Sequence, residues 1–467
     1  MKKKKKPLAL IVVAALLIGA AGFACYEIFG VKRGWVKTEQ GTSYYDKSGH
    51  PYTGFIQIND DRRYFDPETK FMATGETVID GKQYLSDSEG VMLIGFQTVD
   101  GVSKYYDPET GAMKTGWFES DTGTCYFDES SGGQVHGWYE INGNKYYFDK
   151  INGNMAKGEF DNEDGKYYAD PATGIVALGL TVIEGKQYYF DDETGLMRTG
   201  WIDVGDGTYF FDETTGAGVD GIVELQDGKY GFIGGQVIKS ERAMAGNHLY
   251  YFDENGKVVR EIDGSKPMVA LTYDDGPSMY TDSIIDTFEE YGAKCTFFIV
   301  GDRISWNEDV TRREGELGYQ QANHTYGHNR LTSLDQSGQT EALKKTDDEL
   351  IRVTGKPSLY LRPPEGRFDD NLKACCNCPI ILWSVDSQDW KSRDKTAVCN
   401  KIIGKVQDGD IVLMHDLYQS TADATKEIVP ALINSGFQLV TVEEMGLLKT
   451  NGAGLENGTV YYSIPNR

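Results

Sequence analysis

The chain has 467 residues, more than one ordinary hydrophobic core organises, so two or more folded units are expected. Its formal charge of -24 argues against nucleic acid as a partner, because phosphate binding needs a basic face, and suits a soluble extracellular surface. The 55 glycines and 29 tyrosines point to turn-rich β structure carrying aromatic faces.

In chain order, Lys2 to Lys6 precede an apolar run from Leu8 to about Ala24, and Gly22-Phe23-Ala24 has the small-x-small form of a cleavage site. Residues 1–30 therefore read as a secretory signal peptide or, if the run is retained, as a single membrane anchor. Both readings place the protein outside the cell, at the cell surface or in the cell wall. Cys25 is one of seven cysteines, an odd number for an exported chain. The run Cys375-Cys376-Asn377-Cys378 lacks a second cluster at zinc-finger spacing, so it reads as buried thiols or one local disulfide.

Between residues 34 and 260 an aromatic run closing on aspartate returns every 20 or 21 residues, at Asp46, Asp66, Asp87, Asp107, Asp128, Asp149, Asp170, Asp191 and Asp212. Ile233 takes the next place and Asp253 resumes the series. A second beat of Gly before a bulky residue runs through Gly34-Trp35, Gly54-Phe55, Gly95-Phe96, Gly116-Trp117, Gly137-Trp138 and Gly200-Trp201. About eleven copies of two short aromatic strands around a polar turn predict β-hairpins, which bury their aromatics only by stacking into a solenoid. The units resemble the cell-wall-binding repeats of choline- and glucan-binding surface proteins. Choline-binding members usually set a Trp before the Tyr-Tyr pair; here Ser43, Lys104, Lys145, Lys166 or Gln187 stands there. A stalk whose aromatics only pack together and a surface that stacks on a cell-wall polymer both remain open.

From Lys266 to Lys449 the period stops. Apolar strands run through Met268–Tyr273, Thr296–Val300, Ile380–Trp383 and Ile411–Met414, alternating with helical stretches Asp282–Tyr291, Gln339–Thr354 and Thr396–Val406. Such alternation predicts a parallel sheet or barrel, with active groups at the carboxyl ends of strands. The sequence is silent on the tail, residues 450–467.

Three histidines lie in this half: His324, His328 and His415. Two imidazoles spaced as in one helical turn can aim at one spot, and the acidic pair Asp274-Asp275 ends a strand. That is a three-ligand site for a divalent metal with positions left for water and substrate, which makes hydrolysis the first hypothesis. Adjacent carboxylates on an extended strand point to opposite sides, so one is free to act as a base.

The half also carries Thr272-Tyr273-Asp274-Asp275-Gly276-Pro277, His324-Thr325-Tyr326-Gly327-His328, Arg362-Pro363-Pro364-Glu365-Gly366, Asp386-Ser387-Gln388-Asp389-Trp390 and Leu413-Met414-His415. In that order these resemble the five motifs of the NodB-like polysaccharide deacetylases, carbohydrate esterase family 4. The resemblance implies a C-terminal deformed (β/α) barrel, so the whole is an N-terminal β-hairpin solenoid plus an α/β barrel. It implies a hydrolase removing N-acetyl groups from a cell-wall or extracellular polysaccharide, with peptidoglycan first and O-acetyl xylan or chitin oligomers as alternatives. It further implies Asp275, His324 and His328 as ligands of Zn²⁺, or of another divalent metal such as Co²⁺. Asp274 is then the general base, aimed and kept charged by Arg362, and His415 the acid, oriented by Asp389. Leu413 and Trp390 wall the acetyl slot. Glu365 replaces the usual aromatic residue; its backbone N–H serves the oxyanion hole, and its charge is expected to change substrate preference or to favour a cationic or partly deacetylated polymer. Two other readings use the same residues: a wall-binding surface protein with a silent enzyme domain, and a two-histidine-one-carboxylate iron oxygenase.

Overall fold

The computed structural model describes residues 31–465; the signal or anchor reading of residues 1–30 and Cys25 lie outside them. Among the described residues no helix is long and apolar enough to cross a membrane. They divide into two compact units, one running to Thr181 with Tyr189–Arg198 added, the other holding Val182–Tyr188 and everything from Thr199 onward.

The first unit is a stack of hairpins. Gly137–Ile141 pairs antiparallel with Asn144–Phe148. Its turn, Asn142-Gly143, has φ of 53° and 78°, the doubly left-handed pair whose twist matches the strands. The recurring aspartate has a local purpose. Asp107 Oδ1 accepts from the backbone of Glu109 and Thr110 and from the Thr110 hydroxyl, at 3.1, 2.7 and 2.8 Å, and so folds the exit of each hairpin. The glycine that follows is fixed twice over: Gly111 has φ 76°, and a Cβ there would lie 2.7 Å from the Met92 methyl. The exit segment then bonds back to the preceding hairpin, Met113 N to Gln83 O at 2.7 Å and Gln134 N to Ser103 O at 2.8 Å. These bonds turn separate hairpins into a solenoid. Phe65, Tyr106, Phe127 and Phe148 are fully buried along its axis. Trp117 packs edge-on against Tyr126 of its own hairpin and Tyr146 of the next, at 5.0 and 5.2 Å, yet stays 40% exposed.

In the second unit hairpins continue through Gly200–Phe211 and Gly221–Ile233, followed by the three strands Arg242–Ala245, His248–Phe252 and Val258–Asp263. Beyond them lies a deformed α/β barrel, as the motif order implies. Its parallel strands run Gln320–Asn323, Thr296–Ile299, Met268–Asp274, Ile411–His415 and Val385–Asp386, with Gln438–Leu439 also on Met268–Asp274. Leu361 bridges Asn323 to Ile380, carrying the wall on to Ile380–Ile381. The tail supplies a further strand, Val460–Tyr461, parallel to Ile380–Ile381.

The strand Met268–Asp274 is buried at all seven positions, the burial of a parallel strand covered on both faces. Helices outside it bury Ile284, Phe288, Leu350, Ile402 and Ile428 against Val269, Leu271, Val412 and Met414. The helix Gln336–Thr354 begins where Asp335 accepts from the N–H of Gly338 and ends at Gly355, φ 77°. Sequence alone leaves out the helices Glu308–Glu316, Gln419–Asn434 and Val442–Lys449.

Candidate active site

The strand Met268–Asp274 delivers its last residue to the barrel mouth, where Asp274 and His415 are register partners on adjacent strands. Asp275 then takes the left-handed conformation, φ 73°. An extended strand would send the two carboxylates to opposite sides; the left-handed turn corrects that expectation. Both face His324, whose Nε2 lies 3.7 Å from Asp274 Oδ2 and 3.4 Å from Asp275 Oδ1. Glycine must follow, because a Cβ at Gly276 would sit 2.1 Å from Asp416 Oδ2.

The two histidines also meet by another route than a helical turn. Residues 324–328 are a loop, folded by positive φ at Thr325 (65°) and His328 (53°), and the ring centroids are 5.0 Å apart. His324 Nδ1 lies 2.6 Å from the carbonyl oxygen of Arg362. A carbonyl only accepts, so Nδ1 carries the proton and the Nε2 lone pair faces Asp275. His328 Nε2 lies 3.3 Å from the same Asp275 Oδ1.

One ligand atom from each of Asp275, His324 and His328 falls within 4.8 Å of the others. Asp275 Oδ1 is buried without a hydrogen-bond partner. Burial works against its charge, but the neighbouring imidazoles of His324 and His328 hold the carboxyl below its usual range. His328 in turn is pushed down by burial and by His324. Three donors that converge without satisfying one another suit a divalent cation: the edge of a tetrahedron built on bonds of roughly 2.0–2.1 Å is about 3.3 Å. Among the described residues the cysteines form no such group; Cys376 Sγ faces Cys378 Sγ at 2.6 Å.

Arg362 is fully buried and spends its fork on four acceptors. Nη1 donates to Asp274 Oδ1 at 2.6 Å and to Thr272 Oγ1 at 2.7 Å, Nε to Ile381 O at 3.1 Å and Nη2 to Leu382 O at 3.0 Å. Across the site His415 Nδ1 meets Asp389 Oδ1 at 2.8 Å. Asp389 Oδ2 accepts from the His415 backbone at 2.7 Å and from Thr421 Oγ1 at 2.8 Å. Burial opposes the charge of His415, yet the hydrogen bond and charge of Asp389 prevail and raise the imidazole to about 9. Asp389, though buried, is held below the usual carboxylate range by His415 and Thr421.

Leu413 pairs with Thr272 in register, while its neighbours Val412 and Met414 lie in the outer core, so its side chain is on the barrel's inner face. Trp390, which follows Asp389, is 48% exposed. Glu365 stands in the left-handed region, φ 57°, and does not present a bare charge: its carboxylate is clamped by Arg330 and Arg367. The expectation of an anionic groove at this position is therefore corrected. Sequence reasoning misses two more groups. Arg303 Nη1 donates to the Asp275 carbonyl. Asp416 is fully buried, accepts from the Thr281 hydroxyl, and burial pushes its carboxyl up to about 7. Its position directly after His415 is its only signal, since its hydrogen-bond partners Ser278 and Thr281 lie 138 and 135 residues upstream.

The family pattern described as polysaccharide deacetylase matches residues 261–377, and that described as choline-binding repeat matches residues 93–136 and 177–220. The peptidoglycan-N-acetylmuramic acid deacetylase PdaC of Bacillus subtilis (strain 168) is 33% identical over 189 residues, 40% of this chain and 40% of the relative. The chain thus spans about two fifths of that protein's length. A peptidoglycan-N-acetylglucosamine deacetylase of Bacillus cereus is 32% identical over 189 residues, 39% of this chain and 69% of the relative. Among solved structures, "T48 deacetylase with substrate" is similar at 30% identity and TM-score 0.41, over 43% of this chain and 99% of that one. With the motif loops converging at one end of a deformed barrel, and a relative matched over most of its length, the chain belongs to the polysaccharide deacetylase family.

Proposed function

We propose that the protein is a metal-dependent hydrolase that removes N-acetyl groups from peptidoglycan. The observation that carries this reading is the placement of Asp274 with Arg362, and of His415 with Asp389, on two sides of the converging Asp275, His324 and His328. The three converging side chains are the proposed metal ligands, and Zn²⁺ suits their nitrogen and oxygen donors. When bound, such a cation polarises a carbonyl and lowers the pKa of a bound water towards about 7.

The chain's own residues do the rest. Asp274, held at one oxygen by Arg362, presents the other to the attacking water and takes its proton as the C–O bond forms. The Glu365 backbone N–H is the proposed donor to the carbonyl oxygen as charge develops there. The tetrahedral adduct collapses when its C–N bond breaks and His415 gives its proton to the departing amine nitrogen. Acetate and a free amino sugar result. Asp389 favours the charged, donating form of His415, which an acid needs at neutral pH. Leu413 and Trp390 are the proposed walls for the acetyl methyl.

The names of the similar proteins support peptidoglycan as substrate, and the repeats support attachment to a wall polymer outside the cell, with residues 1–30 as the export element. The test is mass spectrometry of muramidase-released sugars after incubation with the full chain. Loss of acetyl groups from amino sugars is expected; fully acetylated products would contradict the proposal.

A further inference from the structure

Two loops frame the open side of the site. One continues from His328, 41% exposed, to Arg330; the other continues from Arg362 through Glu365 to Arg367. The bond of His324 Nδ1 to the Arg362 carbonyl ties the loops together at their base. At the rim they are tied again. Arg330 approaches Glu365 Oε1 through Nε at 2.9 Å and Nη2 at 2.8 Å, and Arg367 Nε donates to Glu365 Oε2 at 3.0 Å. Two guanidinium groups against one carboxylate leave a net positive charge in a chain whose formal charge is -24.

The clamp leaves donors to spare. Among the described residues, Arg330 Nη1 and both Nη atoms of Arg367 make no further hydrogen bond or ion pair, and the two side chains are 57% and 59% exposed. Guanidinium N–H pairs match a carboxylate bidentately, and a carboxylate already on Glu365 fixes the planes of both forks beforehand. Glu365 holds φ 57°, a conformation a non-glycine residue adopts at some cost. Its two ion partners help to keep it there.

We infer that Arg330 and Arg367, aligned by Glu365, form a carboxylate-binding subsite beside the reacting sugar. The preferred substrate is then an N-acetylated glycan carrying a carboxylate substituent, as the lactyl ether of muramic acid does, over a neutral chain of N-acetylglucosamine. The inference rests on the deacetylase reading and narrows its substrate.

The test compares KM and kcat of the full, metal-loaded chain on two probes. One is peptide-free oligomers of alternating N-acetylglucosamine and N-acetylmuramic acid, with free lactyl carboxylates; the other is chitotetraose. The double variant Arg330→Gln/Arg367→Gln is expected to raise KM for the first probe about tenfold more than for the second, with the loss falling on KM rather than kcat. Glu365→Gln, which weakens the clamp that aligns the two guanidinium groups, is expected to raise KM for the carboxylate-bearing probe more than for chitotetraose. Equal changes on the two probes, or none, would overturn the subsite and leave the deacetylase reading standing. Acetate release from neither probe by the unaltered chain would remove both.

Discussion

Arg362 Nη1 and Asp274 Oδ1 meet at 2.6 Å inside the barrel, the arginine with no exposed surface and the aspartate with 3%. The pair is both a fold element and part of the site, because the same guanidinium ties the strand Met268–Asp274 to the carbonyls of Ile381 and Leu382. Replacing one partner leaves the other charge buried and unpaired, which costs about 3–5 kcal/mol. Arg362→Met is therefore expected to lose stability on that scale and activity by about a hundredfold or more. Urea unfolding with parallel acetate release checks it, and a variant of unchanged stability would show that the pair does not hold the barrel.

His415 and Asp389 give a pH signature. The folded imidazole, at about 9, lies above its ordinary value of about 6.5. A group raised in this way stabilises the fold fully below about pH 6.5, and that stability is lost as pH rises through about 9. In Asp389→Asn the imidazole should titrate at or below its ordinary value, and the alkaline loss of stability should shrink. NMR titration of the His415 ring in the metal-free protein measures this directly; identical curves for the two proteins would deny Asp389 its role.

The proposed metal ligands make a stability prediction that does not depend on turnover. A cation bound only by the folded state at about a hundred times its Kd adds about 2.7 kcal/mol. Thermal unfolding should therefore rise on adding Zn²⁺ and fall back with chelator. Asp275→Asn and His328→Ala should abolish the rise. A full rise in either variant would place the cation elsewhere.

The last three repeat-like strands belong energetically to the barrel. Leu249 and Ile262 share a core with Met268, Met445 and Leu448. Arg260 Nη2 donates to the buried Glu444 at 3.1 Å, Tyr251 donates to the same carboxylate at 2.5 Å, and Arg242 pairs with Glu443 at 2.7 Å. A chain starting at Lys266 is expected to aggregate, whereas one starting near Ser240 stays monomeric on size exclusion. Arg260→Met should cost about 3–5 kcal/mol in urea unfolding, because Glu444 would then be buried without its cation.

The strand and helix plan of the barrel is legible in the sequence because apolar runs such as Met268–Tyr273 and caps such as Asp335 and Gly355 are local signals. The hairpin array is legible for the same reason: Asp107 and Gly111 act within a few residues of themselves. What stays hidden is set by distant partners. The left-handed turns at Asp275, Thr325 and His328 aim the proposed ligands, yet nothing local distinguishes those residues from extended ones. Glu365 reads as a free charge until Arg330, 35 positions away, is seen to clamp it. Likewise Tyr250-Tyr251-Phe252-Asp253 keeps the repeat's pattern while its partners lie in the helix Val442–Lys449.

The central claim, metal-dependent deacetylation at the Asp275, His324 and His328 site, is tested most directly by acetate release from N-acetylated peptidoglycan. The full chain would be assayed as prepared, after chelation, and after Zn²⁺ is restored. The expected result is release that chelation abolishes and metal restores, and that Asp275→Asn lacks under all three conditions. Release unaffected by chelation, or no release with metal bound at one equivalent, would contradict it.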